Sequence, residues 1–160
     1  MKLQNNSYSC GVYAVMNAAK CLGIDLPRKK IVQYSGTTKN GTSERGIIRT
    51  LRRNKFIAHE FEFSSYSYDN NKKRAIKILK NSLRNSNPVI LCVDKNNHWC
   101  TVIGMLGNKF ILFDSDMDLE NKKEHGTQIV KENELVERWA NYKNFYGIRV
   151  SLRKRRNNNR

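Results

Sequence analysis

The chain has 160 residues, enough for one domain to bury a core of its own without disulfide or metal staples. Thirty Lys and Arg against 14 Asp and Glu leave a net charge of +16, which bears on partners and solubility rather than on fold. Only 39% of the residues are hydrophobic, yet they fall in compact runs, and none approaches the roughly 18 consecutive apolar residues of a membrane span.

Met1-Lys2 leads into polar residues rather than into the apolar stretch of a secretory signal. Cys10, Cys21, Cys92 and Cys100 show no C-x-x-C spacing, which argues against a zinc ribbon or a redox motif. These features predict a cytoplasmic chain with free thiols, no metal, no cofactor and no membrane contact.

In chain order, Gly11 to Leu22 reads as an amphipathic helix, with Val12, Val15, Met16 and Ala19 at helical spacing and Gly23 as its stop. Pro27 begins a basic loop, Arg28-Lys29-Lys30. A second helix follows in GTSERGIIRTLRRNKF, with Ser43 as N-cap and Ile47, Ile48 and Leu51 as its apolar stripe. Phe56 to Phe63 reads as a strand with His59, Phe61 and Phe63 on one face. Lys72 to Leu83 reads as a third helix turning Ile76, Leu79 and Leu83 inward.

Strands dominate the rest. Pro88 to Asp94 is a compact apolar run, and HWCTVIGML and KFILFD flank Gly107-Asn108 as a β-hairpin. Glu134 to Tyr142 carries Leu135, Val136 and Trp139 at helical spacing, and FYGIRVSL is a last strand. The fold class is therefore α+β: one domain over residues 1–152, helices first and a mostly antiparallel sheet second, in two lobes around a cleft. Residues 153–160 form a basic tail that composition leaves disordered.

A chemical constellation runs across these elements. Cys10 opens the first helix, where the partial positive charge of the helix end favours a thiolate. A cysteine in that place is by itself more often core packing, so the reading depends on partners. A thiolate attacking a carbonyl needs a base and donors for the developing oxyanion. Of the three histidines, His59 lies within a strand and His125 in a polar loop, and both read as structural or surface residues. His98 follows the Asn96-Asn97 turn and starts a strand, rigid yet reachable.

Its orienting acceptor is Asp114 or Asp116. Both share a face with His98 if the hairpin loop has an odd number of residues, and neither does if the number is even. The backbone N–H of Cys10 and the side-chain amide of Gln4, six residues upstream, would serve the oxyanion. Cys100 shares the strand face of His98 but reads as core, as do Cys21 and Cys92. Glu60 and Glu62 read as a solvated strand face.

The ordered set Gln4-x5-Cys10-Gly11, Gly41-Thr42-Ser43, His98-Trp99-x-x-Val102-x-Gly104 and Asp114 resembles the papain-like, double-glycine bacteriocin-leader peptidases and their stand-alone relatives. The resemblance covers Leu3 to Trp139. It implies a papain-like fold with Cys10 as nucleophile, His98 as general base and acid, Asp114 rather than Asp116 as orienter, and Gln4 in the oxyanion hole. The family usually has proline after the aspartate, where this chain has Ser115. Its leader peptidases are normally fused to a transporter, whereas nothing membrane-spanning is legible here.

The function expected is a thiol hydrolase that cleaves a peptide or isopeptide bond through an acyl-enzyme. Acyl transfer, glutamine deamidation and a catalytically silent basic binding module are the alternatives on the same scaffold. The partner expected is a protein or peptide substrate. The stripes Arg45/Arg49/Arg52/Arg53 and Lys73/Lys77/Lys80/Arg84 point in addition to an acidic partner or nucleic acid.

Overall fold

The computed structural model describes all residues except 1–3, 5, 64–66, 96, 117–125, 141–144 and 154–160, so His125 and most of the expected tail lie outside it. Eleven elements follow one another: α1 (Cys10–Cys21), α2 (Arg28–Ser35), α3 (Glu44–Arg53), β1 (Phe56–Phe61), α4 (Tyr68–Arg84), β2 (Val89–Val93), β3 (His98–Leu106), β4 (Lys109–Phe113), β5 (Thr127–Lys131), α5 (Glu132–Trp139) and β6 (Gly147–Leu152). The strands form a single sheet in the order β1-β6-β2-β3-β4-β5, antiparallel at every pairing. The class is α+β, as expected from helices leading and a mostly antiparallel sheet following.

The sheet separates two apolar clusters. On one face Ile90, Cys92, Ile148 and Val150 meet Val12, Val15 and Ala19 of α1, Ile31 of α2, and Ile47 and Leu51 of α3. On the other, Val89, Leu91, Cys100, Val102 and Leu112 meet Ala75, Leu79 and Leu83 of α4 and Leu135 and Trp139 of α5. β2 alternates between the two clusters and is buried along its whole length, which explains why VILCV reads as one continuous apolar run. No helix among the described residues is long and apolar enough to cross a membrane.

Several expectations need correction. Arg28-Lys29-Lys30 is the first turn of α2 rather than a loop. Pro27 precedes the helix in an extended conformation, Gly36 ends it with φ of 66°, and Ile31 supplies its fully buried contact. Cys21 is not core: it ends α1 exposed. β1 stops at Phe61, and His59 is exposed, while Phe56 and Ala58 point into the first cluster. β5 is a sixth strand that the sequence reading passed over, and α4 begins at Tyr68, earlier than expected.

Ser43 caps α3 as expected, and Ser67 caps the earlier start of α4. Ser43 Oγ accepts the N–H of Gly46 at 3.1 Å, and Ser67 does the same for Asn70 at 3.4 Å. Gly11 follows Cys10 because nothing larger fits. A Cβ there would lie 2.7 Å from Thr42 Cβ and 3.2 Å from Trp99 Cδ1. We expect Gly11→Ala to destabilise the fold by about 1–3 kcal/mol through overpacking, read as a lower thermal midpoint. Gly104→Ala, whose added Cβ would meet only Ile111 Cδ1 at 3.6 Å, is the control and should melt near wild type.

Candidate active site

Two buried hydrogen bonds tie β3 to α1 and to the loop before α3. Thr101 Oγ1 donates to Ala14 O at 3.0 Å, and Trp99 Nε1 donates to Thr42 O at 3.0 Å. Both residues are odd-numbered positions of β3 and occupy one face of the strand. Cys10 is the first residue of the helix so held, 4% exposed. Its N-cap Ser9 makes no side-chain bond to the helix, and the Ser9 hydroxyl finds no partner among the described residues. The first backbone N–H groups of α1 therefore carry no side-chain cap.

His98 is the first residue of β3, and its even-numbered companions Cys100 and Val102 occupy the opposite face. The turn Gly107-Asn108 has two residues, an even number, which in an unbroken hairpin would put Asp114 on the wrong face. The structure corrects the parity with a β-bulge. Pairing runs Leu106 with Lys109, Met105 with Phe110 and Gly104 with Ile111, then shifts so that Val102 faces Leu112 and Thr101 faces Phe113. Ile103 is the extra residue, and every β4 side chain beyond it exchanges faces relative to β3. Asp114, just past the end of β4, thereby reaches His98.

His98 Nε2 and Asp114 Oδ1 are 2.7 Å apart, with His98 7% and Asp114 1% exposed. Asp116 does not take this place; its backbone N–H donates to Asp114 Oδ1 at 3.0 Å. With Nε2 engaged by Asp114, Nδ1 is the ring nitrogen left for Cys10, whose sulfur favours the charged imidazole. Burial works against a charged imidazole here. The hydrogen bond to Asp114 and the attraction of Asp114 and Cys10 outweigh it and lift the His98 pKa from 6.5 to about 9. Asp114 moves the other way, down to about 2: burial opposes its ionisation, but His98, the Asp116 N–H and Arg138 together prevail.

Arg138 and Asp94 extend this pair and were not foreseen. Arg138 Nη2 donates to Asp114 Oδ2 at 3.0 Å and to Asp94 Oδ2 at 2.6 Å, while its Nε donates to Asp94 Oδ1 at 2.9 Å. Asp94 N–H in turn donates to Arg138 O at 2.8 Å. A signal was present in the position of Asp94, an aspartate directly after an apolar strand, where it takes a left-handed φ of 53°. Nothing local pointed to Arg138, because its partners are 24 and 44 residues away.

Gln4 is buried beside Ser115. Its backbone N–H donates to Ser115 O, and its Oε1 accepts from Ser115 Oγ, each at 2.9 Å. A cleft of about 240 Å³ opens on Cys10, walled by Tyr8, Asn40, Gly41, Thr42 and Trp99. The Thr42 hydroxyl is tied through Thr37 to Ser35 at the end of α2 by two contacts of 2.7 Å. Cys100 is fully buried in the second cluster, and burial pushes its thiol well above the ordinary range, so it packs rather than reacts. Chemically, the arrangement offers a thiol, an imidazole held in its charged form, and a carboxylate fixed by three donors.

Residues 1–146 match the Peptidase C39 family. No curated protein matches the chain by sequence. Among solved structures, the chain is similar to the peptidase domain of Streptococcus ComA, a bi-functional ABC transporter involved in a quorum sensing pathway. That match has 17% identity and a TM-score of 0.71, covering 95% of this chain and 97% of that one. It is also similar to a double glycine motif protease from an AMS/PCAT transporter in complex with the leader peptide. Here identity is 12% and the TM-score 0.70, over 94% of this chain and 89% of that one. A C39-like peptidase from Bacillus anthracis gives 12% identity and a TM-score of 0.69, over 96% and 94%.

The raised pKa of His98 sets a direction for the pH dependence of stability. The contribution of the charged imidazole is full below 6.5 and is lost as pH rises through about 9. That of Asp114 is full above 3.8 and is lost as pH falls through about 2. We expect ring-nitrogen NMR to keep His98 as imidazolium to near pH 9, and melting temperature to fall across the same alkaline range. Asp114→Asn should bring that NMR midpoint down and flatten the alkaline limb.

Proposed function

We infer the mechanism from one premise: the chain belongs to the Peptidase C39 family and is a cysteine peptidase. The observation that carries the reading is the buried His98–Asp114 hydrogen bond of 2.7 Å, with Cys10 opening the helix that packs against the same strand. Cys10 is the nucleophile, His98 the proton carrier, Asp114 the residue that fixes the imidazole, and Gln4 with the Cys10 backbone N–H the oxyanion donors. Arg138 is a positioning residue that acts through Asp114.

The Cys10 thiolate attacks the carbonyl carbon of a peptide bond, forming a C–S bond and moving the carbonyl pair onto oxygen. His98 imidazolium gives its proton to the leaving amine as the C–N bond breaks, which leaves a thioester and a neutral imidazole. Water then loses a proton to His98 and attacks the thioester. Collapse releases a carboxylic acid, with the thiolate and imidazolium restored. Peptides bearing a double-glycine motif, the substrate type named for one structural neighbour, are the first to test.

The structure separates the two basic stripes. α3 lies on one face of the sheet and α4 on the other, so they do not make one surface. Arg49 of α3 donates to Tyr34 O at 2.7 Å and Ser35 O at 3.2 Å, and Arg53 stacks 5.1 Å over the Tyr34 ring. Two of the four arginines of that stripe therefore serve α2. The α4 stripe is different. Lys72, Lys73, Lys77, Lys80 and Arg84 line a cavity of about 340 Å³ where the one carboxylate among the described residues, Glu132, is engaged by Lys80 at 2.6 Å. The remaining cations suit an acidic stretch of the peptide substrate.

Cleavage of synthetic double-glycine peptides, followed by mass spectrometry with hydroxylamine present to capture the acyl group, tests the reaction. We expect a hydroxamate of the N-terminal product, and a loss of about 10⁴-fold or more in Cys10→Ala with its melting temperature retained. Asp114→Asn should lower turnover far more than Asp116→Asn. Full activity in Cys10→Ala would overturn the mechanism.

For the α4 surface, an acid-extended peptide should show a lower KM than a neutral one at low salt. The advantage should vanish at high salt and in a variant with Lys73, Lys77, Lys80 and Arg84 changed to Gln. An unchanged KM in that variant would assign the charge to solubility, and competition by RNA alone would assign it to nucleic acid.

A further inference from the structure

We propose that Ser115 is a positioning residue for the oxyanion hole, selecting which end of the Gln4 side-chain amide faces the cleft. The proposal rests on the reading of Gln4 as an oxyanion donor and adds the device that aims it. A glutamine amide is nearly symmetric in shape, and its two ends have opposite chemistry: Nε2 donates and Oε1 accepts. Turned one way, it stabilises a developing oxyanion. Turned the other way, it presents a carbonyl oxygen to the same negative charge. Some neighbour has to tell the two apart.

Ser115 is placed to do so. Its Oγ–H donates to Gln4 Oε1 at 2.9 Å, which fixes the carbonyl end against Ser115 and turns the nitrogen end away from it. The backbone adds a second tie, because Gln4 N–H donates to Ser115 O at 2.9 Å. The same residue therefore holds both the main chain and the side chain of Gln4. Gln4 is 6% and Ser115 3% exposed, so water competes poorly for either end of the amide. Proline, which the resembling family usually carries after the aspartate, has the carbonyl for the backbone tie but no hydroxyl for the side-chain tie.

The position couples two halves of the chemistry. Asp114 takes Nε2 of His98, and Ser115 takes Oε1 of Gln4, from adjacent residues of one turn. The Asp116 N–H closes that turn onto Asp114 Oδ1 at 3.0 Å. A single tripeptide, Asp114-Ser115-Asp116, thus sets both the imidazole and the amide. The serine hydroxyl answers the orientation problem, since a main-chain tie alone leaves the amide free to turn over.

Two probes that both react with Cys10 distinguish aiming from a general structural role. A peptide aldehyde ending in Gly-glycinal adds the thiol across its C=O: the C–S bond forms, and the carbonyl pair becomes an oxyanion that takes up a proton. Iodoacetamide alkylates the same sulfur with loss of iodide and forms no oxyanion. We expect Gln4→Ala to weaken aldehyde binding about 100-fold, the range for removing one such donor, and Ser115→Ala to weaken it roughly tenfold because the amide loses its orientation.

Neither variant should change the iodoacetamide rate. Ser115→Thr should restore wild-type affinity, and Ser115→Ala should add nothing in the Gln4→Ala background. An unchanged aldehyde affinity in Ser115→Ala beside a weakened Gln4→Ala would overturn the proposal while leaving the mechanism intact. Equal losses with both probes in Ser115→Ala, or an additive double variant, would overturn it as well. An unchanged affinity in Gln4→Ala would remove the oxyanion role of Gln4 itself, and the proposal with it.

Discussion

The alternation of side chains along β3 is the constraint on which the site depends. One face of that strand holds the helix bearing the thiol, through the Thr101 bond to Ala14 and Trp99 packed beside Gly11, and the other holds the packing that leads to Asp114. A thiol and an imidazole anchored to opposite faces of a strand can meet only where the strand ends. Cys10 is accordingly the first residue of α1 and His98 the first of β3. The bulge at Ile103 follows from the same geometry. A two-residue turn is a favourable way to close the hairpin, yet it puts the acid on the wrong face, and one inserted residue restores the face without changing the turn.

Electrostatics then explains why the buried acid needs so many partners. Asp114 is almost fully buried, and an isolated carboxylate there would take up a proton rather than remain charged. His98, the Asp116 N–H and Arg138 supply the donors that keep it ionised, and Asp94 holds Arg138 in turn. The charges alternate along this chain: imidazolium, carboxylate, guanidinium, carboxylate. Removing one member of such a set strands its neighbour, at a cost of about 3–5 kcal/mol for a fully buried pair. Asp94 and Arg138 are more exposed than Asp114, so the cost there is smaller.

What the sequence disclosed tracks how local each signal is. α1, α3 and α4 were legible because apolar spacing and caps lie within one helix, as with Ser43 before Ile47, Ile48 and Leu51. The hairpin was legible from Gly107-Asn108. The choice between Asp114 and Asp116 was not, since the bulge that decides it carries no residue signature of its own. α2 was hidden by three successive basic residues, although Pro27 and Gly36 bracketed it. β5 was hidden by brevity and by its place at the sheet edge, where Ile129 faces out. Arg138, Asp94 and the Gln4–Ser115 clasp join parts of the chain between 24 and 111 residues apart. Resemblance supplied the order of Gln4, Cys10, His98 and Asp114, but not the bonds that hold them.

The charge of the chain shows the same dependence on context. Composition alone treats the arginines of α3 and the lysines of α4 as equivalent, and spacing places both on outward faces. Their neighbours differ. α2 ends against α3 with carbonyls at Tyr34 and Ser35 that lack helical partners, and Gly46 allows the approach: a Cβ there would lie 2.3 Å from Ser35 O. An arginine fork satisfies such carbonyls, so Arg49 closes the end of a helix with its charge. Among the described residues, Glu132 is the one acid lining the basic row of α4, and Lys80 engages it. Equal charge on two helices thus has two consequences, one structural and one available for binding, and the adjoining backbone decides which.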